Sequence, residues 1–217
     1  MLKEQGNIQS SLDYFLKFNI PKNAKIIDVG CNRGSLIYNL YKQGYKNVYG
    51  IDINKESIKQ GKGNYKSIKT KLRTYDGKEV PFKRETFDVI LMFDVIEHIP
   101  NVGTFLKEEI YRVLKNGGMF IFQTPNKPIN ILWEIIEQKS FIKYKKYHCS
   151  LQTYFSLKKL LKNSGFNNIK IEKYNIKTEH NKNKIKSELS FLGILLLNLI
   201  SIMPLKLQSN FWGSGKK

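Results

Sequence analysis

Residues 26–34 read Ile-Ile-Asp-Val-Gly-Cys-Asn-Arg-Gly, and residues 48–53 read Val-Tyr-Gly-Ile-Asp-Ile. The apolar start of the first stretch is typical of a parallel strand that is covered on both faces. Gly30 and Gly34 allow a sharp turn into a helix, and the second stretch predicts a strand ending at Asp52. A strand, a glycine turn, a helix and a second strand with a terminal carboxylate form the arrangement that binds nucleotide-like ligands.

Each part of this arrangement has a structural alternative. The helix predicted near Ser35 to Tyr41 would point its free backbone amides at a ligand, but a glycine turn can also be only a turn. Asp52 stands where a carboxylate accepts hydrogen bonds from both hydroxyls of a ribose. It can instead cap a helix that starts within Ile53-Asn54-Lys55-Glu56. The order and spacing of the parts together favour a ligand site.

Asp28 changes which ligand is expected. The spacing Gly30-x-x-x-Gly34 differs from the Gly-x-Gly-x-x-Gly of a pyrophosphate site, and a carboxylate beside it would repel phosphate. An acid there suits a ligand with an amino group and a positive centre. Asn32 stands at the middle of the turn, and asparagine tolerates the left-handed backbone conformation better than most residues.

These residues resemble the first motif of the class I S-adenosylmethionine-dependent methyltransferases, which is typically Asp-x-Gly-x-Gly-x-Gly. The resemblance continues through Arg73 to Phe82, which looks like the family's third strand and adenine-contacting turn. Phe87 to Pro100 resembles the fourth strand and the Glu-His segment of the small-molecule and quinone branch, the methyltransferase type 11/23-like proteins. Overall the resemblance covers residues 26–174.

The resemblance implies a fold, a cofactor and a set of binding residues. The fold is α/β, a Rossmann-like class I methyltransferase sandwich with a mostly parallel seven-stranded sheet and helices on both faces. The cofactor is S-adenosylmethionine and the product S-adenosylhomocysteine. Without the resemblance, Asp76-Gly77 is equally well a plain turn. The residues expected to bind the cofactor are Asp28, Gly30, Cys31, Asn32, Gly34, Asp52, Ile53, Asp76, Gly77, Phe93 and Asp94.

Later elements are predicted from pattern. Residues 109–122 suggest an amphipathic helix, a glycine C-cap and a fifth strand. Residues 156–166 predict a helix ended by glycine, and residues 168–174 alternate like a strand. Residues 211–217 are interpreted as the final strand that closes the sheet, although two glycines weaken that assignment.

Length and cysteine content favour one domain in a reducing cytoplasm. The 217 residues suffice for one full core, divided into an N-terminal helical cap (1–24), a cofactor-binding core (25–125), a substrate-side insertion (126–155) and a C-terminal part (156–217). The two distant cysteines form neither a disulfide framework nor a paired metal-ligand spacing, so no metal is expected. The N-terminus lacks the pattern of a cleavable signal sequence.

The net charge of +19 raises the question of a nucleic-acid partner. Only four of the 37 basic residues are arginine, the residue whose guanidinium best recognises phosphates and base edges. Lysines are spread along the whole chain, with clusters at residues 143–147 and 182–186. An ordinary solvated basic surface is therefore favoured, and a nucleic-acid methyltransferase is kept as the alternative function.

Residues 189–205 form the most apolar run. The run falls short of the roughly 20 residues that a spanning helix needs. One interpretation is a helix packed between the sixth and seventh strands, and the other is an interfacial segment at an anionic membrane surface, flanked by lysines. The second would place the protein at the inner face of the membrane. A non-catalytic cofactor-binding or membrane-associated partner protein is the second alternative function. Oligomeric state is not indicated.

The expected reaction is in-line transfer of an activated methyl group to an oxygen of a small or lipid-like acceptor, with the protein aligning the acceptor and excluding water. His98 is the first candidate base, because it follows a strand's carboxyl end and its ordinary pKa is about 6.5. His148 is the second candidate. Bracing of the loop before Pro100 by Glu97 and His98 is the alternative. Acceptor-binding side chains are expected at Tyr14, Phe15, Tyr144 and Tyr147.

Overall fold

The computed structural model describes residues 7–138, 148–174, 198 and 201–217, with the backbone only over 133–138. Tyr144, Tyr147 and most of the apolar run at 189–205 therefore lie outside the described residues. No helix within the described ranges combines the length and the apolar character needed to cross a bilayer.

Helices and strands alternate along most of the chain. The strands are β1 (Ile26–Val29), β2 (Val48–Asp52), β3 (Leu72–Thr74), β4 (Phe87–Phe93), β5 (Leu114–Pro125), β6 (Asn167–Glu172) and β7 (Asn210–Lys216). The α-helices are α1 (Ile8–Leu16), α2 (Ser35–Lys42), α3 (Lys55–Asn64), α4 (Val102–Phe105), α5 (Tyr111–Val113), α6 (Lys127–Gln138) and α7 (Tyr154–Asn163). A π-helical segment, Leu106–Ile110, joins α4 to α5.

The strands form one sheet in the order β3-β2-β1-β4-β5-β7-β6. The first five strands in that order are parallel, whereas β7 runs antiparallel between β5 and β6. This arrangement confirms the predicted mostly parallel seven-stranded sheet. The carboxyl ends of β1, β2 and β4 meet along one edge, which is where open α/β sheets bind ligands.

Alternating side chains of the strands build a core on each face of the sheet. Ile26 packs with α1 and α2 on one face, whereas Ile27 packs with α4 and α7 on the other. Residues 120 and 122 of β5 lie on the second face, and Ile121 on the first. This period of two confirms a sheet that is covered on both sides by helices.

Two glycine assignments differ from the sequence prediction. Gly117, at φ +75°, lies within β5 rather than capping the preceding helix, because that helix ends at Val113 and the strand starts at once. In β7, a Cβ at Gly213 would collide with the ring of Phe122 and with the Lys170 carbonyl. The glycine in the closing strand therefore permits close packing instead of weakening the strand.

Candidate active site

The turn after β1 is tied to the end of β2. The backbone amides of Gly30 and Cys31 donate to the carbonyl of Ile51 at 2.8 and 3.0 Å. Asn32 adopts φ +50°, which confirms the left-handed conformation expected for this residue. Gly30 has φ +84°, and a Cβ there would collide with the side chain of Val95. The turn therefore needs glycine at its first position and accepts asparagine at its middle.

Asp52 holds this turn through its side chain. Its Oδ2 accepts from the Asn32 amide at 2.7 Å, and its Oδ1 accepts from the Asn54 amide at 2.8 Å. Helix α3 is capped by Asn54, whose side chain accepts from the Ser57 amide at 3.0 Å. The alternative that Asp52 caps this helix is therefore wrong. Each carboxylate oxygen keeps acceptor capacity for a ligand hydroxyl.

Asp28 lies beneath the same turn and is 5% exposed. Burial, together with the nearby charge of Asp52, raises the pKa of Asp28 to about 7. The carboxyl is therefore near its midpoint at neutral pH. A positive ligand group beside it would favour the charged form.

At the edge of the sheet, the segments after β2 and β3 combine an apolar side chain with a carboxylate. Ile53 is 65% exposed and lines the cavity beside Gly77. Asp76 Oδ1 accepts from the amides of Lys78 and Glu79 at 2.8 and 3.1 Å, and these bonds lower the pKa of Asp76. The second oxygen of Asp76 is left for a ligand donor. An aromatic ring with an exocyclic amino group would match this pair.

A single cavity of about 1030 Å³ connects these groups. All of the predicted cofactor-binding residues except Gly34 line it. Known ligand pockets span about 300–1,000 Å³, so the cavity has room for a cofactor-sized ligand and a second molecule. It also extends past Phe93 and Asp94 to His98 and His148.

The two candidate bases lie together with a buried acid. The rings of His98 and His148 are 4.8 Å apart between centroids, and His98 Nε2 lies 3.8 Å from Glu97 Oε1. Glu97 is 1% exposed, and its Oε2 accepts from the Thr124 hydroxyl at 2.9 Å. Burial and the nearby charge of Asp94 raise the pKa of Glu97. Since both imidazoles line the cavity, a group bound there can reach them.

Comparison with known families identifies the fold and cofactor class. The family model described as a methyltransferase domain, Methyltransf_23, matches residues 3–171, which is more than half of the chain. The chain belongs to this methyltransferase family. The match includes all but the last three of the residues, 26–174, that resemble the class I, S-adenosylmethionine-dependent enzymes.

The curated relatives of this methyltransferase include enzymes named for quinone synthesis. The ubiquinone biosynthesis O-methyltransferase of Pelagibacter ubique is 36% identical over 109 residues, 50% of this chain and 45% of that protein. The demethylmenaquinone methyltransferase of Lactobacillus johnsonii is 29% identical over 186 residues, 75% of this chain and 76% of that protein. For the first two curated relatives, the chain spans about half of the relative's length, 45% and 52%.

Solved structures share the fold of this methyltransferase. A SAM-dependent methyltransferase from Archaeoglobus fulgidus superposes with a TM-score of 0.67 at 18% identity and covers 98% of this chain and 96% of its own. Phosphoethanolamine N-methyltransferase 2 from Haemonchus contortus, solved in complex with S-adenosyl-L-methionine, gives 0.67 at 16% identity. It covers 96% of this chain and 52% of its own.

The donor set in this methyltransferase's cavity fits S-adenosylmethionine. Asp52 is placed for the ribose hydroxyls, and Ile53 with Asp76 for the adenine. Asp28 would face the positive groups of the cofactor, which would offset the burial and the nearby charge of Asp52 that raise its pKa. The geometry agrees with these roles, and they stay predictions that ligand binding will test.

Three placements correct the sequence interpretation of this methyltransferase. Gly34 has φ +79° and begins α2, where a Cβ would lie 2.7 Å from the Leu72 side chain, so its role is packing. Tyr14 and Phe15 are fully buried and do not line the cavity. The Tyr14 hydroxyl donates to Glu172 at 3.0 Å, and the two rings pack in the core because large apolar groups gain most from burial.

Sequence reasoning missed several cavity residues. The first turn of α1 and its cap residue line the cavity, and the amphipathic pattern of this helix indicates its buried side but not this turn. The start of α6 and the start of β7 contribute further lining residues. Only the topology of the fold explains why these lie at the cavity. The additional lining residues include Asn7, Ile8, Ser10, Ser11, Tyr75, Gln123, Asn130, Tyr174, Ser209, Asn210 and Trp212.

Proposed function

We propose that the protein transfers a methyl group from S-adenosylmethionine to an oxygen of a small or lipid-like acceptor. The observation that carries this proposal is that the residues matching the cofactor site and the imidazoles of His98 and His148 line the same cavity. Two relatives named for ubiquinone and menaquinone chemistry support a small acceptor with an oxygen-bearing ring.

The chain's own residues would mainly bind and align. S-adenosylmethionine supplies an already activated methyl group on a sulfonium. Asp52 accepts from the ribose hydroxyls, and Asp28 stabilises the positive end of the ligand when ionised. The turn at Gly30 lets the ligand approach the backbone. Alignment of two bound reactants removes most of the entropic barrier to a transfer of this kind.

The acceptor end would hold the reacting oxygen beside the imidazoles. Ile8, Phe93 and Trp212 provide apolar wall, and His98 and His148 are among the polar groups that line the same cavity. Such a combination of apolar surface and few convergent polar groups is typical of small-molecule sites. A phenolic hydroxyl is favoured over an aliphatic one because it loses its proton at far lower cost.

The test uses purified full chain with S-adenosylmethionine and matched phenol, alcohol and amine acceptors, with S-adenosylhomocysteine as the measured product. We expect turnover with the phenol. The variants H98A and H148A should lower turnover at least about 100-fold, while the cofactor dissociation constant stays unchanged. Methylation of the amine alone would overturn the oxygen assignment, and full activity of both variants would overturn the acceptor site.

We also propose that the protein contacts an anionic membrane surface. Phe155, Ile202 and Leu207 are exposed by 65%, 75% and 46%, and Lys206 Nζ lies 4.6 Å from the Phe155 ring centroid. Exposed apolar groups beside lysine suit an interface with anionic headgroups, where each lysine contributes about 1 kcal/mol.

Co-sedimentation with vesicles tests this contact. Binding to anionic but not zwitterionic vesicles is expected, with a clear loss in the double variant F155S/L207S and a smaller loss in K206A. Undiminished, salt-sensitive binding by the double variant would assign the contact to the lysines alone and overturn the apolar part. Binding to RNA with a steep salt dependence, and not to vesicles, would favour the nucleic-acid alternative.

A further inference from the structure

Three side chains of metal-ligand type converge at the acceptor end of the cavity. Glu97 and His98 come from the segment after β4, and His148 comes from the segment before α7. One ligand atom from each of the three lies within 4.8 Å of the others. This grouping brings together residues about 50 positions apart, so no motif in the sequence announces it.

The surrounding hydrogen bonds hold these side chains in place. Thr124 donates to Glu97 Oε2, which leaves Oε1 on the side of His98. The Ser150 amide donates to the Glu97 carbonyl at 2.9 Å, and its hydroxyl donates to the carbonyl of Ile99 at 2.6 Å. The chain next to His148 is therefore fixed directly to the segment that carries the other two. Metal sites commonly show such outer hydrogen bonds to a ligating carboxylate.

Burial of Glu97 leaves a charge to be compensated. The carboxyl is 1% exposed, and the basic side chain beside it is His98, whose Nε2 lies 3.8 Å away and pairs with it only when protonated. Burying a carboxylate is costly unless a cation is paired with it. A metal ion at this point would supply that charge.

We propose that Glu97, His98 and His148 bind a divalent transition-metal ion of the Zn²⁺ type. Two imidazoles and one carboxylate form a known ligand set for Zn²⁺ and for Fe²⁺, whereas Mg²⁺ and Ca²⁺ prefer all-oxygen sites. Three protein ligands also leave a coordination position open, and all three residues line the cavity in which an acceptor would bind.

Binding requires a small contraction. Metal–ligand bonds of about 2.0–2.2 Å place tetrahedral ligand atoms about 3.3 Å apart. The most distant pair must therefore approach by about 1.5 Å. The side chain of His98 is 48% exposed, so it can rotate without disturbing the core.

The open position gives the ion a role in the proposed reaction. An acceptor hydroxyl bound there would lose its proton to water more easily, because a metal ion stabilises the oxyanion. The acceptor oxygen then forms the new C–O bond, the C–S bond breaks, and its electron pair stays on sulfur. This role rests on the proposed function, whereas binding of the ion does not. With the ion bound, both imidazoles act as ligands and not as bases.

The test measures metal binding directly. The full chain, stripped with a chelator and dialysed, is titrated with Co²⁺ while the visible absorption bands of tetrahedral Co²⁺ are followed. We expect one equivalent per chain, displaced by Zn²⁺. H98A, H148A and E97Q should each weaken binding by at least about tenfold, and T124V, which removes the outer hydrogen bond, by about 10–100-fold.

Two control variants distinguish this site from nonspecific metal binding elsewhere on the chain. D76N, at the opposite end of the cavity, and C149S, beside His148, should both bind Co²⁺ like the wild type, and circular dichroism verifies that every variant is folded. Absence of binding by the wild type, or undiminished binding by a folded H148A, would overturn the proposal. Methyl transfer that persists after complete chelation, together with Co²⁺ binding, would overturn the catalytic role alone.

Discussion

Asp28 allows the sharpest quantitative prediction about the cofactor site. Its pKa of about 7 means that, at pH 6, about 90% of the ligand-free protein carries a protonated Asp28. A bound cation next to the carboxyl favours the ionised form, so binding below pH 7 must release this proton. Because the release of this proton becomes less favourable as the pH falls, the affinity for the ligand decreases.

The expected magnitude follows from the same pKa. If the bound form is fully ionised, the dissociation constant for S-adenosylmethionine should be about eightfold larger at pH 6 than at pH 7.5. Close to one proton should be released per ligand bound at pH 6, and about a quarter of a proton at pH 7.5. Titration calorimetry in buffers with different ionisation enthalpies measures both quantities.

The variant D28N is the matched control, because it keeps the shape of the side chain and every other titrating group. A hydrogen bond to a charged group contributes about 1.5–3 kcal/mol, so D28N should bind at least about tenfold more weakly at pH 7.5. The roughly eightfold difference in dissociation constant between pH 6 and pH 7.5 that Asp28 causes should be absent in D28N. Equal pH dependence in D28N and the wild type would refute the assignment of this carboxyl to the positive end of the ligand.

Two further predictions concern stability. The pKa of Asp28 is raised from 3.8 to about 7 by folding, so the ligand-free protein loses stability as pH rises between these values, and D28N should be more stable than the wild type at pH 8 by up to about 4 kcal/mol. Denaturant unfolding of the wild type and D28N at pH 4 and pH 8 checks this. A wild type that is more stable than D28N at pH 8 would contradict it. In α3, a Cβ at Gly61 would collide with the Arg33 carbonyl, whereas at Gly63 it would meet nothing within 4 Å. G61A should therefore cost about 1–3 kcal/mol, and G63A should add about 0.5–1 kcal/mol, in urea unfolding; equal effects would contradict the packing argument.

Local sequence determined most of the fold and the cofactor end of the site. The glycine turn, the strand ending at Asp52 and the Asp76-Gly77 turn each depend on neighbours within a few residues, so their patterns carry the information. The sheet order follows from alternating strands and helices with right-handed crossovers. Even the unusual Asn32 could be assigned correctly, because its conformation is a property of the residue itself.

The acceptor end could not be predicted in the same way. His148 lies beside Glu97 although about 50 residues separate them in the sequence, and a contact over this separation leaves no local pattern. Tyr14 and Phe15 were assigned to the cavity wall because they are aromatic. Tyr14 and Phe15 lie in the core, whereas Ser10 and Ser11, one turn earlier on the same side of α1, line the cavity. Helix periodicity identifies the buried side of a helix but does not say which of its turns meets the cavity.

The most direct test of the account is the binding of S-adenosylmethionine to the wild type and to D52A, measured by calorimetry at pH 7.5. Asp52 is expected to accept two ribose hydrogen bonds, each contributing about 1.5–3 kcal/mol, so D52A should bind at least about 100-fold more weakly. The thermal unfolding midpoint of D52A verifies that the variant is folded. One ligand bound per wild-type chain and a loss of this size in folded D52A are the predicted results. No binding by the wild type, or equal binding by D52A, would contradict the account.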